Sequence, residues 1–168
     1  MSDSLINWFT NNLSFMPKEL VVLIISMVPI LELRGGIIAS SLLGINMFNA
    51  IWLCMLGNII PIPFILWFIT PIFTWMKKTK LLSGIVEKLE KKSMSKSEKI
   101  QKYEFWGLAL FVGIPLPGTG AWTGALIASI LGIKVKKASG SILTGIIIAT
   151  IIMTIISYGI PYAVGIFN

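Results

Sequence analysis

The chain has 168 residues, 55% of them hydrophobic and only 12% charged, and its mean hydropathy is +0.87. That composition excludes a water-soluble domain, which would lack the polar area needed to face solvent. The formal charge of +7 is concentrated rather than spread, so no nucleic-acid partner is expected; one cysteine and no histidine exclude an intrachain disulfide, Cys-based zinc sites and His-dependent catalysis.

Residues 1–17 carry Asp3 and lack a basic n-region, which argues against a cleaved signal peptide. Leu5, Ile6, Trp8, Phe9, Leu13 and Phe15 predict a short interfacial helix there. The first apolar block, 20–45, is interrupted by Pro29, Glu32, Arg34, Gly35 and Gly36. The stretch before Glu32 makes roughly 18 Å of helix, too short for a hydrocarbon core of about 30 Å. The second block, 47–76, carries no charge and is long enough to span, with kinks expected at Pro61, Pro63 and Pro71.

A basic linker follows over 77–102, with nine Lys against three Glu. Its Glu87–Lys91 and Glu98–Lys102 pairs and its Ser95–Glu98 capping box predict short helices on the cytoplasmic surface, against anionic lipid. The third block, 105–133, is interrupted by IPLPGTG over 114–120, and the fourth, 138–167, has no charge.

Each interrupted block is either one broken span or a re-entrant hairpin that enters and leaves on the same face. Lysine placement decides between them. Four full spans would put the 77–102 cluster and Lys134, Lys136 and Lys137 on opposite faces. Two hairpins and two spans put both clusters inside, which makes 12 of the 14 basic residues cytoplasmic. Sliding the chain by 88 residues then superposes Pro29 on Pro117, Gly36 on Gly124, Ser41 on Ser129, Leu43-Gly44-Ile45 on Leu131-Gly132-Ile133, Ala50 on Ala138 and Gly57 on Gly145. One span between two hairpins reverses the entry side of the second unit. The expected fold is therefore an all-α integral membrane protein, an inverted repeat of two units, each a re-entrant helical hairpin followed by a transmembrane helix. A single membrane domain would cover 1–168, with repeats at 18–76 and 103–168.

Two sites stand out. Glu32 and Arg34 lie in an apolar setting where each costs about 2.5–3.5 kcal/mol at a helix centre, so both need partners or water. On a regular helix they would diverge, and a break at Gly35-Gly36 would let them converge; they read either as a structural ion pair or as a substrate or proton site. In the second interruption, Pro115 and Pro117 stop the incoming helix, Gly118 and Gly120 free the backbone, and Thr119 is a candidate N-cap. The free amides there favour an anion. Expected substrate contacts are thus Glu32, Arg34, Gly35, Gly36, Pro115, Pro117, Gly118, Thr119, Gly120, Trp122 and Thr123. The ladders Gly36-Ser40-Gly44 and Gly120-Gly124-Ala128-Gly132 suit close helix packing. Trp52, Trp67, Trp75, Trp106 and Trp122 are expected in part as interfacial anchors.

ELRGGI (32–37), LGNIIPIP (56–63), the run from Lys102 to Gly132 and SYG (157–159) resemble the small multidrug export protein family, related to the DedA superfamily. The resemblance touches most of the chain beyond residue 28; Ile38 departs from it where the pattern has Pro. It implies export of small molecules and, through the wider superfamily, facing re-entrant hairpins that move phospholipids or polyprenyl-phosphate carriers. Only Glu32 and Arg34 match that superfamily's charged positions.

The expected function is a multi-pass cell-membrane transporter of an amphipathic anion such as a lipid phosphate. Arg34 is its main contact, and Glu32 orients Arg34 or exchanges a proton. The rivals are an exporter of cationic drugs bound by Glu32, and a non-transporting scaffold with a basic docking loop. With no nucleophile–base pair, no enzyme is expected, nor a metal or cofactor. Expected partners are membrane lipids, the small-molecule substrate and a second copy in a homodimer.

Overall fold

The computed structural model of the chain describes residues 16–78, 97–116 and 118–163, with isolated positions at 4, 8 and 84. Every regular element among the described residues is a helix. Most of the expected interfacial helix over 1–17, the side chains of Trp75 and of the 77–102 linker, and Pro117 lie outside the described residues.

Helices α1 (Lys18–Met27) and α2 (Glu32–Leu42) form an antiparallel hairpin. Pro29 ends α1, because the residue before a proline is pushed out of the helical region, and Val28 is extended at φ −74° and ψ 129°. Helix α2 closes in a Schellman turn: Gly44 sits at φ 67°, its N–H donates to the Ser41 carbonyl, and Ile45 N–H donates to the Ser40 carbonyl. The open ends of the hairpin meet where Lys18 Nζ donates to the Leu43 carbonyl at 2.9 Å. Each arm is about 15 Å long, half the thickness of a bilayer core.

Helix α3 (Met47–Ile59) starts at Asn46, whose side-chain oxygen accepts from Phe48 N–H at 2.9 Å. One residue, Ile60, separates it from α4 (Pro61–Lys78). Pro61 and Pro63 stand at the first and third positions of α4, where a missing N–H is tolerated. They also withhold the helical donors from the Gly57 and Ile59 carbonyls. At Pro61 and Pro63 only the hydrogen-bond ladder is interrupted, since Ile60 keeps helical angles at φ −51° and ψ −47°, and α4 runs on through Pro71. From Met47 to Phe68 the chain is apolar enough, at 22 residues, to cross a membrane.

The second half follows the same order. Helix α5 (Ser97–Gly113) leads through the turn 114–120 into α6 (Ala121–Ile130). Helix α6 ends in a matching Schellman turn, with Gly132 at φ 67°, Gly132 N–H on the Ser129 carbonyl and Ile133 N–H on that of Ala128. Helix α7 (Val135–Thr154) passes through a π-helical turn (Ile155–Gly159) into α8 (Ile160–Ala163), and Val135–Ala163 is the second segment able to cross.

The correspondence between the halves extends to packing. A Cβ on Gly36 would strike Ser26 and Cys54, and one on Gly124 would strike Val112 and approach Ile142. A Cβ on Gly57 would fall 2.6 Å from the Leu23 carbonyl oxygen and 2.8 Å from Ser26, and one on Gly145 2.6 Å from the Ala109 carbonyl oxygen and from Val112. The glycines and their α3 and α7 partners are 88 residues apart, but the α1 and α5 partners are 86 apart. The second turn is longer, and that absorbs the difference.

The core lies where the hairpins meet α3 and α7, around Ile25, Leu33, Ile37, Leu108, Ile127, Ile142 and Ile146. The outside is also apolar: Trp52, Phe64, Trp67, Ile147, Ile151 and Ile155 are all more than half exposed. Water would not tolerate such a surface, and lipid would. Two expectations are corrected. Gly35 and Gly36 lie inside α2 with no break, because the interruption falls earlier, at 28–31. Gly44 and Gly132 are turn residues with nothing within 4 Å of a built Cβ, so the packing ladders shorten to Gly36-Ser40 and Gly120-Gly124-Ala128.

Candidate functional site

The two helix breaks face each other, and their groups are exchanged between the halves. Beyond Gly113 the carbonyls of the second turn have lost their helical donors. The Arg34 guanidinium donates to the Leu116 carbonyl, to the Thr119 carbonyl at 2.7 Å and to Thr119 Oγ1 at 2.8 Å. At the start of α6 the amides lack acceptors. Glu32 supplies them, accepting from Ala121 N–H at 3.0 Å and from Trp122 N–H at 3.2 Å. Each charge sits where the helix dipole favours it, the cation beyond the C-terminus of α5 and the carboxylate at the N-terminus of α6.

The return contact comes from Trp122, whose indole N–H donates at 3.1 Å to the carbonyl of Met27, the last residue of α1. Trp122 lies 88 residues after Arg34, so equivalent positions cap each other's broken helix. Partners from the opposite half thus satisfy backbone groups that the helix breaks leave open.

Local backbone serves this exchange. Glu32 has φ 49°, a left-handed conformation that costs a side-chain-bearing residue roughly 1–2 kcal/mol. The two amide bonds to its carboxylate hold it there. Gly120, at φ 141°, leaves room for the carboxylate, since a Cβ would overlap the Glu32 carboxyl group. Gly118, at φ 75°, makes the turn itself. Gly35 packs on Leu31, whose Cβ would lie 2.7 Å from a built Cβ, and Gly36 packs on Ser26; neither lines the junction. Pro115 is half-buried in the turn, and Thr123 is half-buried on the first turn of α6.

Three expectations change. Thr119 does not cap α6; its hydroxyl turns back to the Ile114 and Leu116 carbonyls, at 2.9 and 2.8 Å, and Gly120 is the N-cap residue. The free amides expected to attract an anion are already held by Glu32. Trp122 is half-buried and bonded inside the protein, so it is no interfacial anchor.

Beside the junction lies a nearly apolar recess of about 510 Å³, lined by Met27, Ile60, Phe64, Ile65, Phe68 and Trp122. A second recess, about 620 Å³, adjoins the π-helical turn and is lined by Ser41, Asn46, Met47, Tyr158 and Tyr162. There Ser41 Oγ donates to the Ser157 carbonyl at 2.8 Å and Tyr158 OH to the Ile45 carbonyl at 3.0 Å, tying α2 to the second span. The sequence reading missed both recesses and the Trp122–Met27 bond. A signal for the last existed in the 88-residue register, which aligns Trp122 with Arg34.

A family model described as "Putative small multi-drug export protein" matches residues 32–152. The chain belongs to this family. No curated protein and no solved structure matches it. The match begins at Glu32 and takes in the whole second turn, so Glu32, Arg34 and their partners in that turn lie inside the segment that defines the small multi-drug export family, while Met27 lies just before it. Family membership and the two apolar segments make it a membrane protein of transporter type.

Proposed function

We propose that this family member is a small exporter of amphipathic anions in which the contacts that Glu32 and Arg34 each make with the second turn, across the two helix breaks, form the gate. The observation that carries this reading is the bidentate seat of Glu32: two consecutive amides already hold a carboxylate there, with a guanidinium on the adjoining turn. A carboxylate or phosphate on a lipophilic body competes with Glu32 for those amides and is drawn in by Arg34. The recess lined by Phe64, Phe68 and Trp122 suits its apolar portion. A cationic substrate is disfavoured, because Glu32 already accepts from two N–H donors and the Arg34 guanidinium on the adjoining turn repels a second cation.

In this reading each half is a re-entrant hairpin followed by a span and the halves are inverted, so the tips meet near the bilayer midplane. The short arms α1, α2 and α6, of 10 or 11 residues, and the matched glycine contacts support that arrangement. The lysine clusters at 77–102 and 134–137 then lie in the cytoplasm, and the protein is multi-pass in the cell membrane as a homodimer that covers the hairpin flanks. Flux of a panel of lipid phosphates, amphipathic carboxylates and cationic dyes into proteoliposomes tests the reading. Anion flux that Arg34→Gln abolishes is expected. Transport of the cations alone, lost in Glu32→Gln and kept in Arg34→Gln, overturns it.

A further inference from the structure

We infer that the first half carries a binding site for a small monovalent cation, with Na+ as its probe, centred on the Asn58 side-chain oxygen. The starting point is an asymmetry between the halves. Buried positions Ser26, Ser40, Cys54 and Asn58, all at most 2% exposed, are matched in the second half by Val112, Ala128, Ile142 and Ile146, which are equally buried. The glycine contacts establish this correspondence, since Gly36 meets Ser26 and Cys54 as Gly124 meets Val112 and Ile142. The second half packs with apolar groups at all four places, so packing alone does not require polar ones.

Three of the four polar groups have partners. Ser26 Oγ donates to the Val22 carbonyl at 2.8 Å, Ser40 Oγ to that of Gly36 at 2.7 Å, and Ser40 Oγ and Cys54 Sγ are 3.6 Å apart. Asn58 differs. Its side-chain oxygen is buried and has no hydrogen-bond partner. Two other buried oxygens, Ser129 Oγ and Thr154 Oγ1, share that status, but a serine or threonine hydroxyl on a helix can close on the carbonyl one turn back, as Ser141 and Thr150 do. A carboxamide oxygen is an acceptor only and has no such option.

The backbone beside Asn58 adds further oxygen. Pro61 has no N–H, so the Gly57 carbonyl loses its helical donor one residue away from Asn58. Gly57 packs directly on Ser26, whose hydroxyl spends its proton on Val22 and keeps lone pairs to offer. Neutral carboxamide, carbonyl and hydroxyl oxygens at a proline-interrupted helix are the donor set by which broken membrane helices hold alkali cations. Divalent ions would want carboxylates, and Asn58, Gly57 and Ser26 supply none.

The test is thermal unfolding of the full chain in detergent, with NaCl replaced by choline chloride at constant ionic strength. It needs neither substrate nor flux, so its outcome is independent of the gate proposed above. With Na+ at ten times its Kd the wild type is expected to melt about 4 °C higher than in choline. Asn58→Ile installs the residue the second half uses and should fold while losing the Na+ shift; Asn58→Asp, which keeps an oxygen, should retain it. Pro61→Ala restores a donor to the Gly57 carbonyl and should weaken the shift, which supplies a second reading if Asn58→Ile misfolds. A wild type indifferent to Na+, or an Asn58→Ile protein with an undiminished shift, overturns the inference.

Discussion

Arg34 and Trp122 are equivalent residues of the two halves, and each donates hydrogen bonds to the carbonyls that the other half's broken helix leaves open. Arg34 serves Leu116 and Thr119, and Trp122 serves Met27. Glu32 completes the exchange from the acceptor side, on the amides of Ala121 and Trp122. The hairpins are therefore cross-braced at their turns, where the helix ends leave backbone donors and acceptors open.

Breaking the brace from the Arg34 side should be the more damaging change. Arg34→Gln removes the charge-assisted bonds to the Leu116 and Thr119 carbonyls and to Thr119 Oγ1, and leaves the buried Glu32 carboxylate, 5% exposed, without the neighbouring positive charge, at a cost of about 3–5 kcal/mol. Glu32→Gln keeps one acceptor and should cost about 1.5–3 kcal/mol, the value of hydrogen bonds to a charged group. The joint Glu32→Gln, Arg34→Gln protein carries no stranded charge and should unfold later than Arg34→Gln alone. Thermal unfolding of the three variants checks this order, and a double mutant no more stable than Arg34→Gln contradicts it.

Trp122→Phe keeps the ring in the apolar recess and deletes only the indole N–H. The Met27 carbonyl is then left without that donor, at an expected cost of about 1–3 kcal/mol. Denaturant or thermal unfolding beside wild type reads it. If the fluorinated or methylated indole analogues are used instead, only blocking of the ring N–H should lower stability.

Gly120→Ala should destabilise far more than Gly44→Ala, although both residues have positive φ. At Gly44 the added methyl meets nothing within 4 Å, so the change costs only the strain of a left-handed backbone, about 1–2 kcal/mol. At Gly120 the methyl overlaps the Glu32 carboxyl group and must displace it from its amides. Equal melting temperatures for the two variants would remove Glu32 from its place in the junction.

Cys54 is fully buried against Ser26 and Ser40, so a maleimide should not label it until the protein is denatured. Single cysteines placed in a Cys54→Ala background at 77–102 and at 134–137 should both label from the cytoplasmic side. Labelling of the two clusters from opposite sides would exclude re-entrant hairpins.

The sequence by itself determined a good deal of this protein. Charge-free runs and their lengths marked the two segments able to cross, because a bilayer core sets a minimum apolar length. Pro29, Pro115 and the Gly-rich turn marked the interruptions, since proline removes a donor and glycine a steric barrier, and these are local properties. The 88-residue register came from the same source. The partners of Glu32 and Arg34 were not legible. The sequence suggested that the two charges meet each other after a break at Gly35-Gly36, and that Thr119 caps the next helix. Tertiary structure decided otherwise, because hydrogen-bond partners 82 to 90 residues away depend on how two hairpins dock. Whether a glycine is present for its φ, as at Gly44, or for the space a neighbouring carboxylate needs, as at Gly120, was likewise settled only when the second half came into contact with the first.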